Sequence, residues 1–173
     1  MSALLRQASR RIRALLPILS SVLLVLLGLL PIGLPHFDSV APAFALMAVF
    51  YWSIFRSDLM TMVGAFLIGL LLDLLSAGPL GLNALALVLV HELGMAQRKV
   101  FLGSSFLVNW AAFALVVGAV LPAGWGIVSA LHWRLQPTAP LLAQLLLSLA
   151  LYPAVYWGLS RLERRWLRAS VPV

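Results

Sequence analysis

Six apolar runs make up most of the chain. They cover Ala14–Ile32, Val40–Phe55, Leu59–Ser76, Leu80–Met95, Phe101–Leu121 and Leu141–Leu159. Each reads as a helix crossing a hydrocarbon core about 30 Å thick. Between them lie helix-breaking or charged stretches. Pro31, Gly33 and Pro35 end the first run, and His36-Phe37-Asp38 reads as a short loop. Arg56-Ser57-Asp58 reads as a turn, since residues two apart do not face each other on a helix. The connection Ala77-Gly78-Pro79 is so short that the third and fourth runs must be antiparallel neighbours, and Gln97-Arg98-Lys99 closes that pair. The predicted fold is an all-α integral membrane protein, one domain over residues 1–173 with six transmembrane helices.

Within the runs, special residues refine the picture. Pro17 falls near the first turn of its helix, where the missing N–H matters little. Tyr51 and Trp52 suit the headgroup level. Pro153 kinks the last span, and the carbonyl it frees needs a partner on a neighbouring helix. In residues 122–140 the breakers Pro122, Gly124, Gly126, Pro137 and Pro140 accompany Trp125, His132 and Trp133. That mixture predicts a short helix lying on the membrane over Trp125–Trp133.

Composition agrees with the pattern. The chain is 63% hydrophobic and only 10% charged, against about 25% charged in soluble domains. A water-soluble fold of this size has no place to hide so much apolar surface. The net charge of +7 reads as topology and not as nucleic-acid binding, because basic residues flank spans on the cytoplasmic side. Arg6, Arg10, Arg11 and Arg13 precede the first run, while Arg161, Arg164, Arg165 and Arg168 follow the last. With six spans, Arg134 alone among the 12 basic residues falls on the opposite side, which places both termini in the cytoplasm. The basic start and first run do not read as a signal peptide. Their apolar core exceeds the roughly 7–15 residues of such a segment.

Candidate chemistry is sparse. With no cysteine in the chain, there is no disulfide, thiolate metal site or cysteine nucleophile. His91-Glu92 opens a zinc-protease signature, but the second histidine is missing because position 95 is Met. No cofactor or metal is expected, and nothing supports an enzyme. Glu92 reads as part of an interfacial charge cluster with Arg98 and Lys99.

The informative stretch runs from Gly69 to Asn83. An acid inside an apolar span is costly and seldom incidental. Phe66, Gly69 and Asp73 share one helix face. Gly69 offers a notch to a neighbouring helix. Asp73 lies about one turn from the end of its span, where it can accept hydrogen bonds from the following turn or cap the next helix. Proton relay, ligand binding and partner contact are the other roles open to it. Asn83 sits in the first turn of the next span, placed to cap or to bond across. Gly78, Pro79 and Gly81 read as turn chemistry, and Gly81 also permits close packing.

Those residues carry a family resemblance. Phe66-Leu-Ile-Gly69-Leu-Leu-Leu-Asp73-Leu-Leu-Ser, followed by Gly78-Pro-Leu-Gly81-Leu-Asn83-Ala-Leu, resembles the rod shape-determining protein MreD family. Phe106-Leu107-Val108 with Trp110, and Tyr152-Pro153 before an Arg-rich tail, are softer matches. The resemblance implies a non-catalytic component of the bacterial elongasome in the inner (cytoplasmic) membrane. Its implied partners are an MreC-like bitopic protein, with MreB, RodA and an elongation-class penicillin-binding protein nearby. Gly69, Asp73, Gly78, Pro79, Gly81 and Asn83 are then the structural or partner-binding residues, and the Arg-rich ends meet membrane lipids. The family is also similar to the S components of energy-coupling-factor vitamin transporters, which share a six-helix fold. That supplies the alternative, a small-molecule binder. The Ala-x-x-x-Ala pattern of S components is absent, since residues 15–32 contain no alanine.

Overall fold

A computed structural model describes residues 2–29, 41–76 and 78–166, with side chains over 15–165. Among them lie seven helices and no strand: α1 Ser2–Gly28, α2 Phe44–Phe55, α3 Met62–Ser76, α4 Leu82–Ala96, α5 Arg98–Leu102, α6 Phe106–Leu131 and α7 Thr138–Trp166. The expected loop His36-Phe37-Asp38, the breakers Pro31, Gly33 and Pro35, and residues Ala77 and Arg168 fall outside the described residues. The described residues are all-α, and α6 and α7 are each long and apolar enough to cross a membrane. The apolar part of α1 (Leu15–Gly28), α2, α3 and α4 are shorter.

The short helix α2 is the centre. Ten of its twelve residues, Ala45–Ile54, are buried, so it is apolar on every face as a fully enclosed helix must be. It packs against α1, α4 and α7, with α5 beneath it. The other two pairings are antiparallel hairpins, α3 with α4 and α6 with α7. Tyr51 and Trp52 therefore point into the bundle and not toward headgroups. Their partners explain why. Trp52 Nε1 donates to Ser20 Oγ of α1 at 3.0 Å, and Tyr51 lies edge-on to Tyr156 of α7 at 5.4 Å. Phe50 meets Phe113 of α6 at 5.7 Å, and Phe113 stacks on Tyr152 of α7 at 4.1 Å. An aromatic cluster thus joins α2 to the α6–α7 hairpin, each well-placed pair adding about 0.5–1.5 kcal/mol beyond its burial.

Small residues set how closely the remaining helices approach. A Cβ added to Gly69 would overlap the α4 backbone, 2.7 Å from both Ala84 N and Asn83 O. One added to Gly94 would lie 2.9 Å from Ser53 Cβ of α2. Without a hydrophobic drive between helices in lipid, such close backbone contact is what holds them.

Two prolines behave differently from expectation. Pro17 lies deep inside α1, which begins at Ser2. Its own carbonyl accepts from Ser20 Oγ and Ser21 Oγ. Pro122 does not end its helix; α6 continues to Leu131, so Trp125–Trp133 is mostly the last part of α6 and not a separate surface helix. The stop comes at Trp133, which has a positive φ of 50°. Arg134 N–H reaches back to Ser129 O at 3.2 Å, closing the helix end in the left-handed manner usually left to glycine. Pro153 has the partner expected for the carbonyl it frees. The carbonyl it frees belongs to Leu149, and Trp110 Nε1 of α6 donates to that oxygen at 3.1 Å.

At the end where α2 begins, the hairpin α6–α7 extends beyond the other helices. Ala43 N–H donates to Ser148 Oγ at 2.9 Å, so α2 begins level with Ser148 of α7. Thr138–Leu147 lies beyond that level, about 15 Å of helix. Gly28 at the end of α1 adjoins Phe44 at the start of α2, so α1 stops there too.

The two kinds of glycine separate in a stability measurement. Gly69→Ala forces α3 and α4 apart and should cost about 1–3 kcal/mol, as overpacking does. Gly118→Ala on α6 meets nothing within 4 Å and should be neutral or gain about 0.5–1 kcal/mol from helix propensity. Thermal unfolding of the two purified variants in one detergent reads the contrast.

Candidate functional site

The corner between α3 and α4 brings together five of the six residues singled out above. Asp73 closes the buried face of α3 and is 1% exposed. Its Oδ2 accepts from Gly81 N–H at 2.9 Å and Ala84 N–H at 3.2 Å. Its Oδ1 accepts from Asn83 N–H at 3.0 Å and Asn83 Nδ2 at 2.9 Å. The first N–H groups of a helix have no partner within it. Here Gly81 is the N-cap and has no side chain to offer, so the carboxylate of the preceding helix fills that place. The remaining early donor, Leu82 N–H, reaches Pro79 O at 3.3 Å. A negative group at this end also suits the α4 dipole.

Local sequence explains the geometry. Gly81 adopts φ 94°, a left-handed conformation that glycine takes without Cβ strain. Pro79 supplies the fixed φ of a turn. Gly69 lets the Ala84 backbone come close enough for Asp73 to reach it. Gly78 lies in the connecting turn, half exposed, with Ser76 Oγ the nearest atom to an added Cβ at 3.7 Å; it does not touch the carboxylate. All four polar contacts to Asp73 come from donors of the chain itself.

A second polar cluster sits at the opposite end of the bundle. Glu163 of α7 is buried and accepts from Tyr51 OH at 2.9 Å and from Arg56 Nε at 3.3 Å. Arg56 also approaches Asp58 at 3.9 Å across the α2–α3 turn. Buried His91 of α4 places Nε2 2.9 Å from Met60 O and Nδ1 3.2 Å from Glu92. Arg98 of α5 donates to Ser57 Oγ at 2.7 Å. Glu92 is thus beside His91, and among the described residues no ion pair joins it to Arg98 or Lys99. The cluster links α2, α4, α5 and α7 through the residues following α2.

Sequence reasoning passed over Glu163, which stands among the arginines that follow the last apolar run. A signal was present. Tyr152, Tyr156, Leu159 and Glu163 recur at helical spacing on one face, so the inward face of α7 continues past Arg161. The outward face carries Arg161, whose guanidinium lies 3.6 Å from the Trp157 ring centroid, a cation–π contact.

No group of three or more His, Asp or Glu side chains able to hold a metal occurs among the described residues. The family model described as rod shape-determining protein MreD matches residues 9–161. No curated protein and no solved structure matches the chain.

Two sets of variants separate the clusters. Asp73→Leu strands three backbone N–H groups and should cost on the order of 3–5 kcal/mol. Asp73→Asn keeps an acceptor for Gly81 and Ala84, and a flipped Asn83 amide can answer the new NH2. It leaves the Asn83 N–H unpaired and should cost only about 1–3 kcal/mol. Tyr51→Phe and Glu163→Gln should be non-additive, with a coupling of about 0.5–3 kcal/mol in a double-mutant cycle read by thermal unfolding.

Proposed function

Since the chain belongs to the rod shape-determining MreD family, and is therefore a cell-shape protein of the membrane, we propose that it serves the elongasome by binding and not by catalysis. In this reading it is a multi-pass protein of the bacterial inner membrane with six spans and both termini in the cytoplasm. It binds an MreC-like bitopic protein. Through it, MreB filaments are connected to peptidoglycan synthesis by RodA and an elongation-class penicillin-binding protein. The observation that carries the proposal is the family match over residues 9–161.

The arrangement of polar groups supports a binding role. Asp73, Asn83, His91 and Glu163 each hydrogen-bond to the chain's own backbone or side chains. They hold helices to each other at both ends of the bundle. The α3–α4 corner, with Gly69, Asp73, Gly78, Pro79, Gly81 and Asn83, is proposed as a packing and docking element on the outer side of the membrane. The basic ends Arg98–Lys99 and Arg161–Arg165 face the cytoplasmic leaflet, each basic residue near anionic lipid adding roughly 1 kcal/mol.

The experiment is co-purification of the full chain with an MreC-like bitopic protein, with topology checked in the same cells. Single cysteines replace Asp58 and the almost fully exposed Trp133, and a membrane-impermeant thiol reagent is added to intact spheroplasts. Trp133→Cys should label and Asp58→Cys should not. Labelling of Asp58→Cys alone reverses the topology. Copurification with an ATPase module and tight vitamin binding would replace this function with that of an S component.

A further inference from the structure

The bundle has two flanks of different height. Helices α3 and α4 have 15 residues each, about 22 Å at 1.5 Å per residue. Helices α6 and α7 have 26 and 29, about 39 and 43 Å. A hydrocarbon core is about 30 Å thick, so the second flank exceeds it and the first falls about 8 Å short.

Both ends of the short flank are fixed at a polar level. At one end the chain leaves helical geometry between Ser76 and Leu82, and Leu80 and Gly81 are exposed there. Irregular backbone facing lipid does not occur within hydrocarbon, where its N–H and C=O groups find no partner. That turn must reach headgroups or water. At the other end Asp58 and Glu92 are more than half exposed, and Lys99 is exposed. Tilting the hairpin only lowers the height between these two levels.

The surface between them has the character of a lipid contact. Its exposed side chains include Val63, Phe66, Leu67, Leu74, Leu85 and Leu89. Every glycine of α3 and α4 (Gly64, Gly69 and Gly94) is turned inward and buried. Helix–helix contacts in membranes favour small residues, glycine above all, and this face presents no glycine. Acyl chains need no such notch.

We propose that the α3–α4 flank binds bilayer lipid directly and pinches the bilayer on that side, thinning the hydrocarbon by several ångströms while the α6–α7 flank meets it at full thickness. A thin layer beside a thick one is a lateral preference, because mismatch costs energy with each ångström and sorts membrane components by length. Lipids with short chains should gather at this flank.

The inference rests on the multi-pass reading above, and the test separates the two. The cysteine-free chain is given single nitroxide labels at Leu80, Leu89, Met95 and Leu115, all exposed, and reconstituted whole into dioleoylphosphatidylcholine vesicles. Accessibility to oxygen, which concentrates in hydrocarbon, is compared with accessibility to a water-soluble nickel chelate. Leu89→Cys and Leu115→Cys should favour oxygen, while Leu80→Cys and Met95→Cys should favour the chelate several-fold over Leu89→Cys. In vesicles of matched lipids, the thermal midpoint of the unlabelled protein should fall as chains lengthen from 14 to 22 carbons. Oxygen preference at Leu80→Cys equal to that at Leu89→Cys would place the turn in unthinned hydrocarbon and overturn the proposal. So would a Leu89→Cys label closed to both reagents, since that means a second copy of the chain covers the flank. Chelate preference at Leu115→Cys would instead sink the multi-pass reading, and the pinching with it.

Discussion

A polar group inside hydrocarbon has no water to turn to, and leaving it unpaired costs several kcal/mol. The helices of this chain are joined where that constraint is met. The Asp73 carboxylate is bonded by the first N–H groups of α4. The carbonyl freed by Pro153 is bonded by Trp110. The amide at Ala43, ahead of α2, is bonded by Ser148. Each pairing satisfies a group that its own helix cannot, and each crosses from one helix to another. The polar residues therefore specify which helices are neighbours and at what level, a task that uniform apolar packing performs poorly.

The apolar contacts then fix distance. Gly69 and Gly94 admit backbone or Cβ atoms of the neighbouring helix to within about 3 Å of where a methyl would stand, and this brings Asp73 within reach of Gly81, Asn83 and Ala84. The two effects depend on each other. Widening the α3–α4 contact would lengthen all of the bonds to the carboxylate at once. Around α2 the same division holds with larger side chains, the cluster of Phe50, Phe113 and Tyr152 filling space and the Tyr51–Glu163 bond fixing register.

Much of this was legible in the chain. Apolar runs bounded by breakers locate the helices, since hydrocarbon admits few alternatives to a helix. An acid one turn ahead of a Gly-Pro turn invites the capping reading, and a proline inside a span implies a carbonyl in need of a donor. What escaped depends on facing, which hydropathy does not encode. Tyr51 and Trp52 have the composition of headgroup anchors, yet α2 is enclosed on all sides and both point inward. Glu163 stands among arginines, and only the spacing from Tyr152 and Tyr156 marks it as inward. Pro122, Gly124 and Gly126 look like breakers, but breaking a helix's hydrogen bonds costs more in lipid than in water, where the freed groups find partners. So α6 runs through them to Leu131, and Trp133 ends it.

The proposed docking role follows from what is left over. Asp73 and Glu163 are both bonded internally, so the proposed docking corner between α3 and α4 would offer a partner shape and not an unpaired carboxylate. The flanks are unlike each other. Glycines of α3 and α4 are consumed by packing inside the chain, whereas an added Cβ at Gly118, Gly124 or Gly126 of α6 meets nothing. Lipid accepts a smooth leucine surface and a protein helix prefers small residues. A bundle that presents the first on its short side and the second on its tall side has two unlike lateral faces, a property that suits the proposed connector role.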